Sequence, residues 1–211
     1  MTRRYLALGD SYTIGEGVSA SETWPMQLAA AARAAGVPLA DPEIMAKTGW
    51  TTTELLAALD TVSQPLGTDF DLVSVLIGVN DQYRGLGVTA FRHGFLRLLT
   101  RATGYTAGDA RRVVVVSIPD WGITPFGSSD PRGTATIRAE IDRFNAAISA
   151  EARQAGAAFV DVTALSRRAA NDRSLLAPDG LHPSRPMYAL WVQVILPVAL
   201  SVCAPRDENV L

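Results

Sequence analysis

The amino-acid sequence predicts an α/β protein, a three-layer α/β/α sandwich in which helices cover both faces of a parallel five-stranded sheet. Short apolar runs alternate with longer amphipathic stretches along the chain, which is typical of consecutive βαβ units. The short runs are apolar almost throughout, as expected for strands that are buried on both faces of a sheet. The flavodoxin-like strand order 2-1-3-4-5 is the arrangement that we expect.

Five apolar runs mark the predicted strands, in the order residues 5–8, 44–47, 72–77, 113–118 and 158–162. The stretches between and after them predict helices over residues 24–35, from about 51 onward, around 91–99, over 137–148 and over 186–199. The second of these helices has a capping pattern at Thr51 and Glu54. Pro197 is expected to end or kink the last helix. One domain over residues 1–211 follows, with a core over about 4–200 and a polar tail at 204–211.

The composition excludes several classes of function. A net charge of −2 offers no basic surface for nucleic acid. Cys203 is the only cysteine, so neither an internal disulfide nor a cysteine zinc site is expected, and we predict no metal and no cofactor. We count no apolar stretch near the ~18 residues of a membrane span, and the first apolar run is too short for a signal sequence. A cytoplasmic location is therefore expected, while the oligomeric state stays open.

Polar and small residues follow the first three predicted strands. Ser11 comes after the first strand, Gly49 after the second and Asn80 after the third. The carboxyl ends of parallel strands meet at one rim, and ligands bind there near the change in strand order. The sequence therefore places a hydroxyl, a glycine backbone and a carboxamide together.

An acid and a base stand just before the last helix. Asp179 and His182 are three residues apart, so they can lie on one side of a turn. The carboxylate can then bind the Nδ1–H of the imidazole and leave Nε2 free as a base. The only other histidine, His93, lies in a helical stretch and is expected at the surface.

Four short blocks resemble those of the GDSL, or SGNH, hydrolase family, in the order that this family has them. The resemblance spans residues about 4–200 and rests on Gly9-Asp10-Ser11-Tyr12, Gly49, Gly78-Val79-Asn80-Asp81 and Asp179-Gly180-Leu181-His182. The first block departs from the family pattern, because Tyr12 stands where the family has leucine. The residues around Ser11 do not have the spacing of the Gly-x-Ser-x-Gly nucleophile elbow of the α/β-hydrolases.

The resemblance implies a role for each block. Ser11 would be the nucleophile, with His182 as its base and Asp179 orienting that base. The backbone N–H groups of Ser11 and Gly49 and the Asn80 side chain would donate hydrogen bonds to the oxyanion. Acyl transfer needs such an activated hydroxyl and such donors. 

Simpler structural roles compete at each position. Ser11 could be only a helix N-cap, Gly49 only a turn residue, and Asn80 only a cap of the next helix. Arg84 could meet an anionic substrate group or simply be solvated. Aromatic residues that follow the strands could line a substrate pocket or belong to the core: Trp50, Tyr83, Trp121 and Phe126.

The predicted function is hydrolysis of a small-molecule carboxylic ester through an acyl-enzyme, with short-chain acyl or acetyl esters preferred. The family also includes lysophospholipases, thioesterases and carbohydrate deacetylases, so the alcohol and the type of ester stay open. A non-catalytic binding module on the same fold is one alternative. A metal-dependent phosphoesterase is a weaker one, because such sites need several histidine and carboxylate ligands.

Overall fold

The computed structural model describes residues 2–62 and 66–204, so most of the predicted polar tail lies outside the described residues. Its five strands are β1 (Tyr5–Gly9), β2 (Glu43–Ala46), β3 (Leu72–Leu76), β4 (Val113–Val116) and β5 (Ala158–Val160). All neighbouring strands pair in parallel, and their order is β2-β1-β3-β4-β5. The predicted sheet and its strand order are confirmed.

The described helices are α1 (Ser11–Ile14), α2 (Trp24–Ala34), α3 (Thr52–Asp60), α4 (Val79–Tyr83), α5 (Val88–Gly104), α6 (Pro125–Ser128), α7 (Thr134–Ala155), α8 (Thr163–Ser166) and α9 (Arg185–Cys203). Helix α2 packs against α9, and α5 packs against both α3 and α7. Because crossovers between parallel strands are right-handed as a rule, this strand order places the two groups on opposite faces of the sheet. The predicted three-layer arrangement follows from them.

Local sequence explains the burial of the central strands and the start of α3. Every residue of β1 and of β3 is buried, as the continuous apolar runs predict. Thr51 caps α3, because its hydroxyl accepts a hydrogen bond from the Glu54 N–H and Glu54 Oε2 accepts one from the Thr51 N–H at 2.8 Å. The predicted capping box is confirmed.

Helix α9 is longer than the sequence predicts, because it continues through Pro197 to Cys203. A proline removes one hydrogen bond to the carbonyl four residues earlier. Pro197 and Gln193 are both exposed, so water can reach that carbonyl and the helix survives. Of the two outcomes expected at Pro197, an end of the helix is wrong and a kink stays a prediction.

Helix α9 also differs from the expectation that no apolar stretch approaches the length of a membrane span. This helix of 19 residues, with a mean hydropathy of 1.7, is long and apolar enough to cross a membrane by length and composition. Core helices pass the same test, and Tyr188, Trp191 and Ile195 of α9 are completely buried against the rest of the molecule. The helix is thus weak evidence of a membrane span.

Candidate active site

Ser11 is the first residue of α1, directly after β1. The N-cap position belongs to Asp10, whose Oδ1 accepts a hydrogen bond from the Tyr12 N–H at 3.0 Å. The interpretation of Ser11 as a helix N-cap is therefore wrong. Its side chain lies at the carboxyl end of a central strand and lines a cavity at the rim of the sheet.

Asp179 and His182 form a turn that is held by the aspartate. Asp179 Oδ1 accepts hydrogen bonds from the N–H groups of Leu181 at 2.9 Å and of His182 at 3.0 Å. Asp179 Oδ2 lies 2.6 Å from His182 Nδ1. Partial burial favours the neutral acid, but these hydrogen bonds outweigh it and lower the pKa of Asp179 below its ordinary value. An ionised Asp179 keeps the proton of His182 on Nδ1, which leaves Nε2 as an acceptor.

Gly49 stands at the third position of a β-turn that follows β2. The turn closes through a hydrogen bond of 3.2 Å from the Trp50 N–H to the Lys47 carbonyl. Gly49 has a φ of 83°, the left-handed value that a type II turn requires at this position. Among residues 2–62 and 66–204, nothing accepts a hydrogen bond from the Gly49 N–H. That donor is free for a ligand.

Asn80 is the second residue of α4, whose N-cap is Gly78. Its side chain does not cap that helix; Nδ2 donates to the Trp50 carbonyl at 2.9 Å. A carboxamide nitrogen has two hydrogens, so one remains for a ligand. The neighbouring Asp81 accepts from the Thr52 N–H at 2.9 Å, which joins the loop after β3 to the start of α3.

The residues of the four blocks meet at one cavity of about 150 Å³. Ser11, Gly49, Asn80 and His182 line it, together with Tyr83, Trp121 and Phe126, and so do four residues to which the sequence analysis assigned no place in the site: Tyr12, Thr48, Val79 and Leu181. Each of those four is the chain neighbour of a block residue, which is the signal that could have found them. Trp50 does not line the cavity, because its side chain packs against the core.

An aromatic wall closes one side of the cavity. The Tyr83 and Trp121 rings meet edge to face with centroids 5.4 Å apart, and Phe126 lies 5.8 Å from Trp121 and 6.0 Å from Tyr83. Tyr83 and Phe126 are 44% and 45% exposed, whereas Trp121 is buried. Two apolar rings are therefore presented to solvent beside Ser11.

A buried ion pair supports this wall. Asp120 is fully buried, accepts from the Gly122 N–H at 3.0 Å and binds Arg167 Nε at 2.8 Å. Gly127 packs directly against the Trp121 backbone, so that a Cβ at Gly127 would lie only 2.2 Å from the Trp121 carbonyl oxygen. The segment that carries Trp121 and Phe126 is thus fixed by the Asp120–Arg167 ion pair and by close backbone packing at Gly127.

Replacing Arg167 by alanine is expected to lower the free energy of unfolding by about 1–3 kcal/mol, because the Asp120 carboxylate would lose its charged partner. Urea unfolding measures the effect. The adjacent Arg168 is exposed, so Arg168→Ala is the matched control with an expected change within about 0.5 kcal/mol. Equal stabilities of the two variants would contradict the assignment.

Asp10 supports the turn beneath Ser11 and has an unusual protonation. It is completely buried, and its Oδ2 has no hydrogen-bond partner among the described residues. Burial raises the pKa of Asp10 to about 8, against the lowering effect of the Tyr12 N–H, and the negative Asp81 adds to the rise. At pH 7 the carboxyl is mainly neutral in the folded protein.

This protonation predicts how stability depends on pH. The folded pKa lies above the unfolded one, so unfolding releases a proton between about pH 4 and pH 8, and stability falls as the pH rises through that window. Each pKa unit of difference corresponds to about 1.4 kcal/mol. Asp10→Asn keeps the cap without a titrating group, so its stability should decline less between pH 5 and pH 8. Equal declines in urea unfolding of the variant and the parent would refute this.

The fold and the cavity together define the class of protein. A five-stranded parallel sheet in the order 2-1-3-4-5, flanked by helices, is the fold of the SGNH hydrolases. Residues 7–190 match the GDSL-like lipase/acylhydrolase family. The chain belongs to this family and is a hydrolase of ester bonds.

Solved structures with this fold include a lipase/acylhydrolase from Enterococcus faecalis, with 21% identity, coverage of 98% of this chain and 100% of that chain, and a TM-score of 0.73. The acetylxylan esterase Axe2 from Geobacillus stearothermophilus has 18% identity, coverage of 93% of this chain and 94% of that chain, and a TM-score of 0.70. The esterase EstA from Pseudoalteromonas sp., inhibited by monoethylphosphonate, has 18% identity, 93% and 96% coverage, and a TM-score of 0.68. Such identities establish similarity of fold alone. No curated protein sequence matches this chain.

Proposed function

We propose that this protein hydrolyses short-chain carboxylic esters through an acyl-enzyme on Ser11. One observation carries the proposal: Ser11 and the Asp179-paired His182 line the same small cavity as Gly49 and Asn80. A hydroxyl, a base with an orienting carboxylate, and free hydrogen-bond donors are the groups that acyl transfer needs.

The chemistry follows from these groups. Ser11 Oγ attacks the ester carbonyl carbon while His182 Nε2 takes the hydroxyl proton. The tetrahedral intermediate collapses when the carbon–oxygen bond to the alcohol breaks, and the histidine returns the proton to the leaving alkoxide. Water, deprotonated by the same nitrogen, then attacks the acyl-enzyme and releases the carboxylic acid and free Ser11.

Three donors would stabilise the negative oxygen of each tetrahedral intermediate. The Ser11 N–H and the Gly49 N–H donate to no other described residue, and Asn80 keeps one amide hydrogen. Rigid donors of this kind stabilise the transition state more than the ground state. Each donor is typically worth about 3 kcal/mol of transition-state stabilisation.

The size of the cavity supports a short acyl group. A volume of about 150 Å³ is small beside the roughly 300–1,000 Å³ of pockets for drug-sized ligands. The exposed rings of Tyr83 and Phe126 offer a surface for the alcohol part of the ester. Sugar and aryl alcohols both have flat apolar faces that suit such a surface.

A chain-length series of p-nitrophenyl esters tests the substrate class. We expect kcat/KM to be highest for acetate to butyrate and to fall by roughly tenfold or more at octanoate, because a longer chain overfills the cavity. Acetylated sugars, assayed in parallel, distinguish a sugar alcohol from an aryl alcohol. A maximum at octanoate or palmitate would overturn the short-acyl proposal.

Labelling with a fluorophosphonate separates an enzyme from a binding module on the same fold. The phosphonate inhibition of EstA makes this reagent suitable for a protein with a similar fold. We expect the reagent to modify Ser11 in the folded protein and not to modify it after unfolding in urea. Failure to label the folded protein would favour the binding module.

A further inference from the structure

Arg84 links the two loops that present the proposed oxyanion donors. It follows α4 in the loop after β3, and its Nη2 donates to the Gly49 carbonyl at 2.6 Å. Its Nη1 donates to both carboxylate oxygens of Glu54 at 3.2 Å. The guanidinium is therefore not simply solvated; it spans from the turn after β2 to the first turn of α3.

The Gly49 turn has two accessible forms. Type I and type II turns differ mainly at the central peptide, where φ of the third residue changes from about −90° to about +80°. That peptide carries the Gly49 N–H, so the change would aim the donor in a different direction. Glycine adopts both values of φ without steric cost, and the residue itself therefore does not select one form.

Two contacts hold the backbone that directly follows the Gly49 N–H. Arg84 binds the Gly49 carbonyl, and Asn80 Nδ2 binds the next carbonyl, that of Trp50, at 2.9 Å. These two bonds tie the backbone after Gly49 to the α4 segment, and so fix where the turn that carries the Gly49 N–H lies, with a φ of 83° at Gly49. Arg84 does not line the cavity, and its hydrogen bond to a cavity-lining residue is the one to Gly49.

We propose that Arg84 is a positioning residue that holds the Gly49 N–H in the direction of the oxyanion. The inference rests on the proposed function and deepens it. It predicts that loss of Arg84 weakens transition-state stabilisation while substrate binding is retained.

Steady-state kinetics of Arg84→Ala on p-nitrophenyl acetate test this. We expect kcat to fall by roughly 10–100-fold, because a displaced donor costs that much in rate, with KM unchanged within about twofold. Arg84→Lys should recover part of kcat, since an ammonium group can reach one carbonyl but cannot also fork onto Glu54. Arg97→Ala, at an exposed position on α5, is the matched control and should keep the parent kcat.

A double-mutant cycle with Gly49 separates positioning from a general structural effect. A Cβ at Gly49 would meet only Arg84 Nη2, at 3.8 Å, so Gly49→Ala fits sterically and acts through the strain of a positive φ. If Arg84 acts through Gly49, the double variant should be no more than about twofold slower than the slower single variant. Glu54→Gln should affect kcat much less than Arg84→Ala does.

Each opposite result overturns the proposal. These results are a parent-like kcat in Arg84→Ala, a loss confined to KM, multiplicative effects in the double variant, or an equal loss in Glu54→Gln. Ser11→Ala is assayed in parallel. An inactive Ser11→Ala beside a fully active Arg84→Ala refutes only the positioning role, whereas an active Ser11→Ala refutes the proposed function and this inference with it.

Discussion

Replacing Ser11 by alanine is expected to lower kcat on p-nitrophenyl acetate by at least about 10⁴-fold. The physical reason is that Ser11, at the end of β1, carries the proposed nucleophile in the cavity that also contains His182, and alanine has no oxygen to form the acyl-enzyme. The residual rate would come from the remaining oxyanion donors acting on water. Alanine fits the first position of α1, so the melting temperature should change little.

Two observations accompany that measurement. Ser201→Ala removes an exposed hydroxyl from α9 and should leave kcat unchanged. Fluorophosphonate labelling should disappear in Ser11→Ala and persist in the control. A Ser11→Ala protein that keeps more than about one-hundredth of the parent kcat would refute the acyl-enzyme mechanism.

Asp179→Asn is expected to lower kcat by roughly 10³–10⁴-fold with little change in KM. The carboxylate accepts a hydrogen bond from His182 Nδ1 at 2.6 Å and thereby sets the tautomer that leaves Nε2 basic. An amide of the same shape can donate to Nδ1 instead, which stabilises the wrong tautomer and cannot stabilise the imidazolium. Because the pKa of Asp179 is lowered, the carboxylate persists at pH values where an ordinary aspartate is already protonated.

The matched control for this change is Asp172→Asn, at an exposed aspartate that precedes the same segment. Its side chain caps a short turn by accepting from the Ser174 N–H at 3.0 Å, a role that asparagine can also fill. We expect the parent kcat for this control. A similar kcat for both variants would show that Asp179 does not orient the base.

The blocks to which we assign the chemistry could be predicted because each is local. Ser11, Gly49 and Asn80 stand directly after apolar runs, and parallel strand order brings the ends of those runs to one rim. The Asp179–His182 hydrogen bond spans three residues, so its feasibility could be judged from spacing alone. The capping box at Thr51 and Glu54 is local in the same sense.

Where prediction from sequence failed, the deciding contacts were distant along the chain. Trp50 follows a strand as Trp121 does, yet only Trp121 lines the cavity. Helix α9 also does not end at Pro197, one of the two outcomes expected there. Sequence pattern identifies residues near a rim, but it does not state which way a side chain turns.

The sequence by itself determined the fold class and the strand order, because hydrophobic periodicity and the handedness of βαβ crossovers leave few alternatives, and its resemblance to a known family identified the four blocks. Only the tertiary structure decided that Asp10 is completely buried, that an aromatic wall faces Ser11, and that Arg84 binds the Gly49 carbonyl. Those features depend on the packing of side chains separated by tens of residues. Close packing selects one arrangement among many that the same pattern of apolar and polar residues would permit.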